Sequence, residues 1–266
     1  MLELTRDGVR LCYDEAGKGS ALLFVHGWCC DHTYFAPQFE HFRSAHRVVS
    51  VDLRGHGGSD KPRQDYTMAG FAEDLAWLCR ELRIDKPVVI GHSMGGVIAL
   101  ALAERFPDVP AAIASLDSPI LAPPATTEAV RPLIEALRGP DYRKAQRLFL
   151  ADLLFGPADD PVRKTRILDD MSSAPQHVMV SAFENIFAFD HAKAAAACRV
   201  PWLALYATQP VSDLVQLRQA CPQVVVGQTV GAGHFHQLEV PDQINAMLAR
   251  FLATTAQWAI LRDRQP

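Results

Sequence analysis

Nowhere does the sequence stay apolar for the roughly 18 residues that a membrane span needs, so no transmembrane segment is expected. The charge is too balanced for a nucleic-acid footprint: 26 Lys and Arg against 30 Asp and Glu leave a formal net charge of -4. Cysteine is sparse and unpatterned. The six residues Cys12, Cys29, Cys30, Cys79, Cys198 and Cys221 show neither CxxC nor metal-finger spacing, which argues against a disulfide framework and a zinc module. No two histidines have the spacing of a metal site, and neither metal nor cofactor is expected. The opening MLELTRDGVR has no charged segment leading into an apolar run and no small-residue cleavage site. No secretory signal is therefore expected, and a reduced, cytoplasmic location is. No heptad or exposed apolar stripe argues for a particular oligomer.

What is present is an ordinary globular composition, 49% hydrophobic and 21% charged with 18 Pro and 16 Gly, in 266 residues. That length allows one large domain, or a core carrying an inserted subdomain. Short apolar runs bounded by turn residues alternate with stretches of helical period, the pattern of an α/β domain wound on both faces of a sheet. Strands are expected at LELTR, VRLCYDE, ALLFVHG, HRVVSVDL, PVVIGHS, AAIASLDS, PWLALYAT and QVVVGQTV. TMAGFAEDLAWLCRELRI puts Phe71, Leu75, Leu78 and Leu82 on one face, as a crossover helix should. From Ile120 to Cys198 the rhythm breaks. No strand is expected there, and four helical candidates follow one another between breaks at Gly139-Pro140, Gly156-Pro157 and Pro175. Residues 120–198 are therefore read as a helical cap inserted into a core made of 1–119 and 199–266. Extra sheet-flanking helices are the alternative.

The strongest chemical signal is VVIGHSMGG, where an apolar strand feeds Gly91-His92-Ser93-Met94-Gly95 and a helix follows at once. A G-x-S-x-G at a strand-to-helix turn is a nucleophile elbow: it presents the serine hydroxyl above the sheet, with helix N–H groups beneath it. A second signal, LLFVHGWCCDH, places a glycine bend after another strand, so the backbone N–H groups of Trp28 and Met94 are the candidate oxyanion donors. The His26 ring is read as structural. In the third, VGAGHFHQLEVPD, His234 directly after Gly233 is the candidate general base, with His236 its rival.

With HGW, DLRGHGGSD, GHSMGG and GAGHF at these intervals, the chain resembles the α/β-hydrolase fold superfamily over almost its whole length. The resemblance implies a mainly parallel eight-stranded sheet with helices on both faces, a cap over the site, and a triad in the order nucleophile, acid, histidine. It also implies that Asp52 and Asp60, in the Gly-rich turn after the fourth strand, are structural.

Most members of that superfamily carry the acid after the seventh strand in a pattern such as G-x-x-D. Here the pattern falls on Ala207-Thr208-Gln209-Pro210, which holds no acid. Two substitutes remain. Asp117 follows the apolar run AAIASL at the end of the sixth strand, a position from which some members supply the acid. Asp213 lies three residues beyond Pro210, in what reads as the first turn of a helix, where an N-cap role accounts for it. Asp117 is favoured.

The segments HGWCCDH, YATQPVSDL and HFHQLEVPD are similar to those of cofactor-free 2,4-dioxygenases that open 3-hydroxy-4-oxoquinoline rings, which also take the acid from the sixth strand. Against the resemblance, Cys30 and Met94 make this site less polar than theirs. The leading expectation is a serine hydrolase of a small to medium carboxylic ester, thioester or lactone, with Ser93, Asp117 and His234 as triad. The alternatives are a dioxygenase using His234 and Asp117 as a base pair, and a non-enzymatic ligand receptor on the same fold. The expected partner is a small molecule, with neither nucleic acid nor membrane. Cys30, Phe149, Leu153, Phe155, Met171, Met179, Phe183, Phe187 and Phe189 are candidate walls of its pocket.

Overall fold

The computed structural model describes residues 1–156 and 159–262; Pro157 of the Gly156-Pro157 break and the last four residues of the expected core range lie outside them. All eight expected strands form: β1 (Leu2–Arg6), β2 (Val9–Ala16), β3 (Ala21–Val25), β4 (Arg47–Val51), β5 (Val88–His92), β6 (Ala112–Leu116), β7 (Trp202–Tyr206) and β8 (Val225–Gln228). They make one sheet in the order β1-β2-β4-β3-β5-β6-β7-β8. β1 and β2 run antiparallel to their neighbours, and β3 through β8 are mutually parallel.

Every residue of β3, β6 and β7 is buried, which is why these strands read as unbroken apolar runs. Their side chains still alternate between two cores. Val89 faces the larger core and Ile90 the smaller, as do Ile113 and Ala114 on the next strand. The smaller core is closed by Phe42 of α1 (Ala36–Phe42) and by Ile244, Leu248 and Phe251 of α11 (Pro241–Arg262).

On the other face lie α2 (Met68–Glu81) and α3 (Met94–Arg105). Thr67 caps α2 by accepting the Gly70 N–H at 3.0 Å, and Phe71, Leu75 and Leu78 are its buried stripe. α3 is buried at every position from Met94 to Ala103, because the sheet covers one side and α2 another.

The described residues of 120–198 form five helices: α4 (Pro124–Leu137), α5 (Tyr142–Leu153), α6 (Pro161–Ser172), α7 (Gln176–Ala188) and α8 (His191–Ala197). α4, α5, α6 and α7 pack chiefly on one another, while α8 packs on α3. No separate helix is expected from the alanine-rich AKAAAAC segment; α8 forms there because Asp190 caps it, accepting the Lys193 N–H, and Ala194 and Ala195 are small enough to lie flat in the core. The remaining helices are α9 (Leu214–Ala220) and the single turn α10 (His236–Glu239). Among the described residues no helix is long and apolar enough to cross a membrane.

Candidate active site

Three loops at the C-terminal ends of parallel strands meet at one cavity of about 720 Å³, closed on its far side by α4, α5, α6 and α7. Ser93, Asp117 and His234 all line it.

Ser93 sits between β5 and α3 with φ 53° and ψ -118°, a conformation that strains a residue with a side chain. The turn is held from two sides. The Ser93 N–H donates to Leu116 O at 2.8 Å, tying the elbow to the end of β6. Glycine is required on both flanks: a Cβ on Gly91 would lie 2.1 Å from Gly95 O, and one on Gly95 would lie 2.1 Å from Val25 O. Met94 is the first residue of α3, so its N–H has no carbonyl within the helix.

Asp117 follows β6 with φ 44° and is 2% exposed. One carboxylate oxygen accepts the Ala207 N–H at 3.1 Å; the other lies 2.7 Å from His234 Nδ1. The strand end therefore delivers a carboxylate to the imidazole across 117 residues of sequence. Asp213 does different work: it caps α9, with Oδ1 accepting the Val215 and Gln216 N–H groups at 3.0 Å. His236 turns away from the cavity, fully buried, with Nδ1 3.2 Å from Thr229 Oγ1, and burial pushes its pKa down to about 4.

His92 has no role in the sequence reading beyond its place in the motif. It is fully buried, and that burial, reinforced by nearby His234, holds its pKa well below the ordinary histidine range. As a neutral ring it donates Nε2–H to the His234 carbonyl at 2.9 Å, so the elbow and the histidine loop are joined through it. His26 bridges its own loop to the next: Nε2 accepts the Leu53 N–H at 3.0 Å, which leaves Nδ1 as donor to Gly27 O at 2.8 Å.

The β3 loop lies directly against the elbow. A Cβ on Gly27 would be 3.3 Å from Ser93 Cβ, so the backbone leading into Trp28 passes beside the serine. The Trp28 indole packs on Phe183 with ring centroids 4.5 Å apart and donates to Met179 O at 3.0 Å. Cys30 lines the cavity and its thiol donates to Trp28 O at 3.4 Å. Burial pushes the Cys29 and Cys30 thiols well above the usual range and keeps them neutral.

Of the other candidate walls, Leu153, Phe155, Met171, Phe183 and Phe187 line the cavity. Phe149, Met179 and Phe189 do not. Phe149 is one residue from Leu150 and is turned about 100° away from the face that Leu150, Leu153 and Leu154 present. Met179 is fully buried, and its turn of α7 faces the Trp28 indole, offering a carbonyl rather than a wall. Phe189 follows the end of α7 with its ring 5.3 Å from His191. The lining also includes residues outside the expected set: Val130, Leu150, Leu154, Ile186, Phe235, Asp159 and Glu239. Leu150 and Leu154 were open to an i, i+4 argument; Asp159 and Glu239 carry no sequence signal.

Asp31, His32 and Asp52 bring potential ligand atoms within 4.8 Å of one another. Asp52 is already committed, accepting from His32 N, His32 Nδ1 and Gly58 N, and Asp31 caps the short turn His32–Phe35.

Residues 20–154 match the sequence model of the alpha/beta hydrolase fold. The chain belongs to that family. The AB hydrolase superfamily protein YisY of Bacillus subtilis is 28% identical over 266 aligned residues, spanning 93% of this chain and 97% of its own. Other curated relatives match over only 22–37% of their own length. Among solved structures, a thermophilic esterase from Thermogutta terrifontis superposes with a TM-score of 0.84 at 25% identity, covering 96% of this hydrolase and 99% of the esterase. Est816, described as an N-acyl homoserine lactone degrading enzyme, superposes at 0.81 with 26% identity over 94% and 100% of the two chains.

Proposed function

We propose that this hydrolase cleaves a carboxylic ester, thioester or lactone of small to medium size through an acyl-enzyme on Ser93. The observation that carries the reading is the 2.7 Å contact between His234 Nδ1 and the buried Asp117 carboxylate, in a cavity that also holds the strained Ser93. A carboxylate on Nδ1 fixes that nitrogen as the donor and leaves Nε2 as the base.

In the proposed cycle His234 Nε2 takes the Ser93 proton as the oxygen attacks the carbonyl carbon. Asp117 stabilises the imidazolium that results. The N–H groups of Trp28 and Met94 receive the oxyanion, and collapse of the tetrahedral intermediate expels the alcohol or thiol with the proton from His234. Water, activated by the same imidazole, then releases the acid. Helices α4 to α7 act as the cap whose apolar walls hold the acyl and leaving groups. The similarity to an esterase and to a lactone-degrading enzyme supports this class of substrate.

Pre-steady-state hydrolysis of a short-chain nitrophenyl ester tests the reading. A burst of nitrophenol stoichiometric with enzyme, followed by steady turnover, is expected. Oxygen uptake with a 3-hydroxy-4-oxoquinoline, in the absence of any ester turnover, would instead transfer the site to ring-opening dioxygenation.

A further inference from the structure

The formally charged side chains lining the cavity, apart from the Asp117–His234 pair, are both acids: Asp159, in the loop between α5 and α6, and Glu239, in α10; among the described lining residues there is neither lysine nor arginine. The two converge on the histidine loop. A Cβ on Gly233 would lie 3.4 Å from Glu239 Oε1 and 3.5 Å from Asp159 Oδ2. Each acid has one oxygen bound by backbone, Glu239 Oε2 by Gly233 N at 2.9 Å and Asp159 Oδ2 by Gly156 N at 2.6 Å. The second oxygen of each is buried without a donor from backbone or from a basic side chain; the two carboxyl groups meet each other instead, and burial together with that contact raises the Glu239 pKa.

Two cations stand nearby. Arg163, on α6, opposes the field of Asp159 at Glu239, and Lys164 Nζ lies 5.3 Å from the Phe155 ring but donates to Ala151 O at 3.0 Å. Neither reaches the lining. The rest of the wall is apolar: Leu150, Leu154, Phe155, Phe183, Ile186 and Phe187.

We infer that this site, read as an ester-hydrolysing one, selects substrates with uncharged apolar acyl groups and rejects those carrying a carboxylate, with Asp159 and Glu239 as the residues that set the discrimination. An anionic acyl group entering the cavity would leave water without gaining a cation, and would meet like charge at its inner wall. A neutral chain loses nothing polar and gains the aromatic and aliphatic wall. The chemistry excludes monoesters of dicarboxylic acids as good substrates and favours simple aliphatic or aromatic esters and neutral lactones.

The test compares kcat/KM for 4-nitrophenyl pentanoate with that for the 4-nitrophenyl monoester of succinate, acyl chains of similar length. For like charges held in a partly screened cavity, the neutral ester is expected to be favoured by at least about tenfold. Asp159→Asn, and separately Glu239→Gln, should shrink that ratio at least about threefold, while Asp152→Asn, an exposed acid outside the cavity, should leave it unchanged. Reading a ratio removes any uniform loss caused by a weakened fold. Calorimetric binding of hexanamide and of the monoamide of adipate to the Ser93→Ala protein gives the same comparison without chemistry. Tighter binding of the neutral amide supports the inference even if no ester is turned over, an outcome that would sink the acyl-enzyme reading alone. Equal or better binding of the anion, or a ratio unmoved by both acid variants, overturns the inference.

Discussion

Replacing Asp117 by asparagine probes the imidazole through a single atom. In the native site Oδ1 accepts the Ala207 N–H and Oδ2 faces His234 Nδ1 at 2.7 Å. An asparagine must keep its carbonyl oxygen toward Ala207, because turning the amide round would set N–H against N–H at a site only 2% exposed. Its NH₂ then points at Nδ1, which can answer only as an acceptor. The proton is forced onto Nε2, and the ring presented to Ser93 is a donor instead of a base. Packing is almost unchanged, so the protein should fold with a near-native Tm. The same tautomer error in serine proteases lowers kcat by about 10⁴-fold, equivalent to roughly 5 kcal/mol of barrier, and a loss of that order is expected here. Steady-state hydrolysis of a nitrophenyl ester at pH 7 to 9 measures it, with Asp213→Asn as the companion. Full activity in Asp117→Asn, together with loss in Asp213→Asn, would show that the carboxylate acting on His234 is not the one described.

Other expectations follow from the packing. Gly95→Ala forces a methyl group to within 2.1 Å of Val25 O, a backbone atom with no room to retreat; a cost of about 3 kcal/mol should lower Tm by roughly 6–12 °C in calorimetry. Trp202→Phe removes the indole N–H that donates to buried Ser115 Oγ at 2.9 Å, and urea unfolding should show roughly 1–3 kcal/mol lost. His236, with a folded-state pKa pushed down to about 4 by burial, stays neutral in the native protein while the unfolded chain takes up a proton below about 6.5. Its contribution is therefore present above pH 6.5 and drains away as pH falls toward 4. The total is at most about 3 kcal/mol, and His236→Asn should flatten that part of the stability–pH curve measured by urea titration.

The core was legible because its signals are local. The central strands are largely apolar runs ended by turn residues, and the elbow is a five-residue motif whose glycines answer clashes with backbone packed against them. The acid was harder. Asp117 and Asp213 are both aspartates near strand ends, and only spatial proximity separates them: one reaches His234, the other caps α9. The helical region was least legible, since periodicity reveals that a helix has an apolar face and not what that face meets. Phe149 and Leu150 are neighbours in one apolar run, yet only Leu150 reaches the cavity; Met179 shares a turn with wall residues but is covered by an indole from a loop 151 residues away. Asp159 and Glu239 belong to no motif at all and meet through the fold alone. The link from His92 to the His234 carbonyl is hidden for the same reason, because it joins a side chain to a backbone atom 142 residues away.

The central claim is that Ser93 is an activated nucleophile. Intact mass after incubation with a fluorophosphonate, for wild type and for Ser93→Ala, tests it directly. The account predicts one adduct on the wild-type chain, none on Ser93→Ala, and a labelling rate that falls by orders of magnitude in Asp117→Asn. An unlabelled wild type, or equal labelling of Ser93→Ala, would contradict it.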